Sequence, residues 1–341
     1  MSSDSPEVTR REITASIASF GALATLQACA SGPTDDAYQQ TARDIWRKSE
    51  TGKRRTSRTV TSTVRSNSVG MTKPAWAYAF ITYLITWSIT LSIYFLYKQG
   101  SITLDQLNLL YNFGALGPFV GAIVAARIFY KRDGVQALFR ALRFTALGTK
   151  SLLLSFSPLL FLVIGWLAYP MMTGHWFSFD ETRRQFHLTN NMSYVGWLLP
   201  FITYSVFEEF GWRGFLLPHL QQKYSALKAT AILTAIWACW HLPFFLWRFQ
   251  FSAFITVGFF FSIFVGAVII TSTFNFSRGS IVSVMLFHFT NNVASALDKE
   301  YIVAVVSVGF VFLAIYLIWK YKAENLADIP RVRNFYLTTS T

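Results

Sequence analysis

The sequence is short of charge. Only 14% of its 341 residues are Asp, Glu, Lys or Arg, against ~25% in an ordinary soluble domain. That shortage excludes a soluble enzyme and a disordered protein. Cysteine is nearly missing: Cys29 and Cys239 are the two present. They exclude a disulfide framework and any Cys-based zinc cluster. There is no HExxH motif, so the zincin pattern is missing. No internal repeat and no sustained period-2 alternation are found, and the latter excludes barrel strands. Acids are scarcer than bases, 17 against 30, for a net charge of +13. In a chain this apolar, the excess reads as a basic membrane face and not as a nucleic-acid surface. What is abundant is apolar and aromatic: 53% hydrophobic residues, 33 of them Phe, and a mean hydropathy of +0.37.

Residues 1–70 differ from the rest. They are rich in Ser, Thr and Arg and hold ten Lys/Arg against seven Asp/Glu. Five bases and no acid lie between Lys53 and Arg65. This segment is expected to be a disordered, basic, membrane-proximal tail. Thr9-Arg10-Arg11-Glu12-Ile13 followed by Leu26-Gln27-Ala28-Cys29 has the look of a twin-arginine signal with a lipobox-like end. Gln27 fits that pattern poorly, and Met71-Thr72-Lys73-Pro74 would serve as an alternative start. Residues 71–325 form the expected membrane domain and 326–341 a cytoplasmic C-terminal tail.

A helix needs ~20 apolar residues to cross a bilayer. Eight runs qualify: 76–97, 108–130, 151–172, 193–217, 226–247, 252–274, 279–297 and 301–319. The expected fold class is therefore all-α, a polytopic membrane bundle of about eight transmembrane helices. The joint after the second run carries Arg127, Lys131, Arg132, Arg140, Arg143 and Lys150 against the lone acid Asp133. Positive charge marks the cytoplasmic side, and an even number of crossings then puts both termini there.

Within the runs, acids occur at one place, as Glu208-Glu209 in the fourth. An intramembrane carboxylate is costly and marks a functional site by default. Glu209 and Arg213 are spaced i, i+4 and can pair on one face. Glu208 points ~100° away, without a local partner. His241 lies in the fifth run, one turn after Trp237, whose ring can pack on it. His288 and Asn292 share a face of the seventh run at i, i+4. His175, His187 and His219 fall in or near loops and read as surface residues. Arg248 and Arg278 fall at span ends and read as interfacial anchors.

Glu208, His241, His288 and Asn292 can converge in one cavity. A Glu with a His can activate water for attack on an amide, the carboxylate taking the proton and the imidazole orienting the water. A His and an Asn can donate to the resulting oxyanion. That set needs no nucleophilic Ser or Cys. Alternatively, Glu208, His241 and His288 could hold a divalent metal such as zinc, which would acidify the water instead.

The three elements Glu208-Glu209-Phe210-Gly211-Trp212-Arg213, Trp237-Ala238-Cys239-Trp240-His241 and His288-Phe289-Thr290-Asn291-Asn292 resemble the pattern of the CPBP family. These are the CAAX-protease and bacteriocin-processing intramembrane proteases, also called the Abi family. Their pattern is EExxxR, FxxxH and HxxxN or HxxxD, and Trp237 stands where the family has Phe. The resemblance covers about residues 75–320. It implies an eight-helix bundle with a cavity open to the membrane, and a peptidase active near the membrane. Eukaryotic members trim prenylated CAAX proteins, and bacterial ones are linked to bacteriocin maturation or self-immunity. It also implies water activation by Glu208 with His241, an oxyanion site of His288 with Asn292, and support from Glu209, Arg213 and Trp237. Members have been described both as metalloproteases and as glutamate-dependent proteases. The substrate would be a membrane-associated peptide or protein, prenylated where the host prenylates. The location would be the plasma membrane in a bacterium and the endoplasmic reticulum in a eukaryote. Two other readings fit the same residues: a non-proteolytic immunity or scaffold protein, and a small-solute or proton transporter.

The depths of two site residues do not match if every run is one straight helix. At ~1.5 Å per residue, Glu208 is ~14 Å from the inner end of its run and His241 is ~22 Å from the inner end of its own. The two meet only if a helix is displaced or broken. Pro218 and Pro243 supply breaks, and 211–225 could be re-entrant.

Overall fold

A computed structural model describes residues 71–249, 252–297 and 300–333. The basic tail, the signal-like stretch at 9–29 and residues 334–341 lie outside the described residues. The described residues form helices joined by short turns, with no strand among them. The helices are α1 (Lys73–Lys98), α2 (Leu104–Leu110), α3 (Leu116–Arg140), α4 (Thr149–Thr173), α5 (Phe179–Gln185), α6 (Asn191–Gly211), α7 (Leu217–Gln221), α8 (Ala226–Trp240), α9 (Ala253–Phe276), α10 (Ile281–Leu297) and α11 (Tyr301–Asn325). Six segments are long and apolar enough to cross a membrane: Lys73–Lys98, Leu104–Arg140, Thr149–Thr173, Ala226–Leu246, Thr256–Phe276 and Tyr301–Asn325. The two remaining apolar runs are α6 and the shorter α10. Large apolar side chains point outward along the helices, among them Phe80, Leu84, Leu153, Leu160, Phe312 and Trp319. In water such a surface would aggregate; against lipid it costs nothing. The protein is a multi-pass membrane protein.

Lipid removes much of the hydrophobic drive between helices, so close packing and polar contacts must hold the bundle. Helices α1 and α3 show both. Thr82, Thr86 and Thr90 repeat every four residues on α1 and are fully buried. They face Gly114, in the turn just before α3, and Gly117 and Gly121 on α3. A Cβ on Gly117 would collide with Thr86 Oγ1 and come within 2.7 Å of the Thr82 carbonyl oxygen. The glycines therefore let the two backbones meet, and Thr86 Oγ1 donates to the Gly114 carbonyl at 2.8 Å.

Several joints gather at one end of the bundle. The Ile281 amide donates to the Ala141 carbonyl at 2.9 Å, and Ser280 Oγ to the Arg143 carbonyl at 2.7 Å. Lys150 pairs with Asp328. Gln221 Nε2 donates to the Val332 carbonyl at 2.7 Å, and Arg331 Nε to the Gln221 carbonyl at 2.9 Å. These are the joints after the second, fourth, sixth and eighth apolar runs.

Candidate active site

Two irregular segments shape the site. Asn190 caps α6 by accepting from the Ser193 amide at 2.9 Å. The helix then runs to Gly211 and widens into a π-helical turn at Trp212–Leu216 before continuing as α7. Pro218 has no N–H for the carbonyl of Gly214, four residues back, and a wider turn relieves its ring. Helix α8 is capped by Ser225, which accepts from the Lys228 amide at 3.3 Å. It ends at Trp240, and His241 is its C-cap. Pro243 stops it by removing the N–H that the Cys239 carbonyl would need. The fourth run thus reaches Gln221, four residues past its expected end. Glu208 is then 13 residues from the end of α7 and His241 is 15 from the start of α8, roughly 20 Å and 22 Å at helical rise. The expected mismatch in depth disappears.

The two acids have separate partners. Glu209 is fully buried. Its Oε1 accepts from Arg213 Nη1 at 2.8 Å, the expected i, i+4 pair, and from His288 Nδ1 at 2.8 Å. Glu208 is 3% exposed and has no cation in hydrogen-bonding contact among the described residues. Its Oε2 accepts two indole N–H groups: Trp212 Nε1 at 3.1 Å and Trp237 Nε1. Of the two acids, Glu209 is the one that pairs with Arg213.

Trp237 is the common neighbour. Its ring lies 5.8 Å from that of His241 and 6.0 Å from that of His288. The Arg213 guanidinium sits over it at 4.6 Å, a cation–π contact. Its carbonyl accepts from His241 Nδ1 at 2.8 Å. A carbonyl can only accept, so Nδ1 carries the proton and the Nε2 of neutral His241 is left with its lone pair. His288 Nδ1 is likewise the protonated nitrogen, because an ionised Glu209 can only accept. Asn292 follows His288 by one turn on α10, and its half-buried amide is bonded to neither acid.

Glu208, His241 and His288 were also a possible metal set. Among the described residues, no three His, Cys, Asp or Glu side chains are grouped as a metal would require. The three donors do not form a ligand set in this arrangement. Trp212 and the His288–Glu209 link were not anticipated. Trp212 follows Glu208 by four residues, as Arg213 follows Glu209, and that spacing was the available signal.

The peripheral histidines divide. His175 and His187 are exposed, as expected. His219 is not a surface residue: it is 1% exposed. Helix α7 carries it inward, where Nδ1 donates to the Phe215 carbonyl at 2.6 Å and Tyr130 Oη lies 2.8 Å from Nε2. Arg248 is exposed with its guanidinium 5.2 Å from the Tyr111 ring centroid.

Residues 190–294 match a family described as type II CAAX prenyl endopeptidase Rce1-like. That window holds Glu208, Glu209, Arg213, Trp237, His241, His288 and Asn292. The chain is also similar to CAAX prenyl protease 2 of Methanococcus maripaludis. The two are 27% identical over 228 residues, covering 62% of this chain and 81% of that protein. Through this segment, the chain is similar to CAAX-type prenyl endopeptidases.

Proposed function

We propose that this protein is an intramembrane endopeptidase that hydrolyses a peptide bond with a water held between Glu208 and His241. The observation that carries the reading is the Glu208 carboxylate, buried without a cation partner and fixed by two neutral N–H donors. An acid that served only packing would be matched by a base, as Glu209 is.

In this mechanism the water donates one hydrogen to Glu208 and the other to the Nε2 lone pair of His241. Glu208 takes the proton as the water oxygen bonds to the scissile carbonyl carbon. The carbonyl π electrons move to oxygen, and Asn292 and His288 donate to that oxyanion. His288 can donate from Nε2 only as an imidazolium, because Nδ1 already serves Glu209. Collapse of the intermediate breaks the C–N bond, and Glu208 returns its proton to the leaving amine. No step needs a metal.

The substrate class follows from the family and the setting: a membrane-associated peptide, with a prenylated CAAX protein as the first candidate. The basic end of the bundle, with Arg143, Lys150 and Arg331, is assigned to the cytoplasm with both termini. The test is cleavage of a farnesylated CAAX peptide by the purified protein in detergent, with products identified by mass and a chelator in parallel. Release of the terminal tripeptide, unaffected by chelator, is expected. An intact peptide with well-folded protein would overturn the reading in favour of a non-proteolytic membrane protein. Loss of turnover to chelator, restored by zinc, would overturn the metal-free mechanism.

A further inference from the structure

We infer that Trp237 is the positioning residue that sets both halves of the water-activating pair, with Trp212 as its second support on Glu208. This rests on the mechanism proposed above and extends it to residues that never touch the substrate.

A carboxylate has two oxygens and about four lone-pair directions. A base that must present one lone pair to one water gains from having the other oxygen fixed. On Glu208 both indole N–H groups converge on Oε2. They approach from different elements, Trp212 from the π-helical turn and Trp237 from α8. Oε1 receives neither and is the oxygen left to face water. Neutral donors suit this task. An arginine on Oε2 would make Glu208 a weaker base, whereas an indole N–H orients the group at smaller cost in basicity.

Trp237 acts on the other half through its backbone. Its carbonyl fixes the His241 tautomer by accepting Nδ1–H at 2.8 Å. One residue therefore holds the carboxylate with its side chain and the imidazole with its main chain. The ring also lies against His241, His288 and Arg213, which prevents the indole from swinging away. The family pattern has Phe at this position, which packs but cannot donate. The N–H is thus a feature of this chain's own residue.

The test separates the N–H from the ring. The indole of Trp237 is replaced by an isosteric benzothiophene amino acid, which keeps shape and puts sulfur in place of N–H. A fluorotryptophan, which keeps the N–H, is the conservative control. Trp237→Phe is the genetically simple companion. Turnover of a farnesylated CAAX peptide is measured with thermal unfolding in the same detergent. The benzothiophene variant is expected to lose about tenfold in kcat, the worth of one hydrogen bond to a charged group. KM and Tm should stay unchanged, and the fluorinated control should remain within twofold of wild type. A kcat within twofold of wild type for the benzothiophene variant would overturn the inference. So would a loss that appears together with a lower Tm, because the N–H would then be structural. Glu208→Gln run alongside keeps the two readings apart. If it stays fully active, or if wild type does not cleave the peptide, the proposed mechanism fails first. If it is inactive and the benzothiophene variant is not impaired, the role of Trp237 alone is wrong.

Discussion

Replacing Glu209 by Gln should destabilise the protein, and removing Arg213 as well should restore much of the loss. Both side chains are 0% exposed, and their contact is 2.8 Å. At that distance the gross attraction is about 6 kcal/mol for an effective dielectric constant near 20, most of it offset by desolvation. Gln keeps an oxygen for Arg213 and His288 but removes the charge. The stranded cation is poorly placed to find other help, because Arg213 Nε and Nη2 are already buried without hydrogen-bond partners. Stranding a buried charge costs roughly 3–5 kcal/mol. For a membrane domain of this size that is a fall in Tm of about 10 °C. Arg213→Met leaves Glu209 with His288, which can carry the balancing proton. Its cost should be smaller, about 2 kcal/mol or ~5 °C. The double variant contains neither charge, so its Tm should lie near that of Arg213→Met. Thermal unfolding of the four proteins in one detergent measures the cycle. A double variant whose Tm falls by the sum of the two single losses would refute the coupling.

The helix contacts and the C-terminal segment allow further tests. Gly117→Ala pushes a methyl into Thr86 and the Thr82 carbonyl and should cost about 1–3 kcal/mol. Gly266→Ala meets nothing within 4 Å and should be neutral or stabilising by up to ~1 kcal/mol; their Tm shifts should have opposite signs or differ several-fold. Truncation after Asn325 removes Arg331 from the Gln221 carbonyl and Val332 from the buried Gln221–Asn275 pair. Each stranded buried group costs about 1–3 kcal/mol, so the truncated protein should unfold at least ~5 °C lower. His241→Ala should abolish peptide turnover with little change in Tm, because that ring is only partly buried and makes one hydrogen bond.

Much of the fold is legible in the sequence because lipid imposes a simple rule: a crossing segment must be apolar, helical and long. Each apolar run from 76–97 to 301–319 is largely helical, six of the segments are long and apolar enough to cross a membrane, and alternate joints share hydrogen bonds and an ion pair. Where helices stop or widen is less legible. Pro218 and Pro243 look equivalent in the sequence, yet one sits within a continuing helical segment and the other ends α8 at His241. The difference lies in the adjoining turns: Pro218 is absorbed by a π-helical turn, whereas the chain around Pro243 tightens into the turn at Leu242–Leu246. Neither outcome can be had from residue spacing alone.

Some contacts of the candidate site are legible in the sequence and others are not. The Glu209–Arg213 pair follows from helical periodicity, since both partners are on one helix. Its third member, His288, comes from α10, 79 residues away, and no spacing rule reaches that far. Trp237 reads as packing because an aromatic beside a histidine usually packs; its N–H to Glu208 depends on how α6 and α8 face each other. His219 reads as a loop residue because it lies just past the fourth apolar run at 193–217. The helical segment instead continues through the π-helical turn and Pro218 to Gln221, and it buries the histidine.

The most direct measurement is kcat for Glu208→Gln on the farnesylated CAAX peptide, beside wild type and with Tm recorded for both. Gln keeps the volume and still accepts from Trp212 and Trp237, so the fold should hold and Tm should move by no more than a few degrees. It cannot take a proton from water, and kcat should fall at least about a thousandfold, since general-base assistance contributes ~10²–10⁴ and its loss removes the attacking water as well. A Glu208→Gln protein that folds like wild type and cleaves within tenfold of its rate would contradict the assignment of Glu208 as the base.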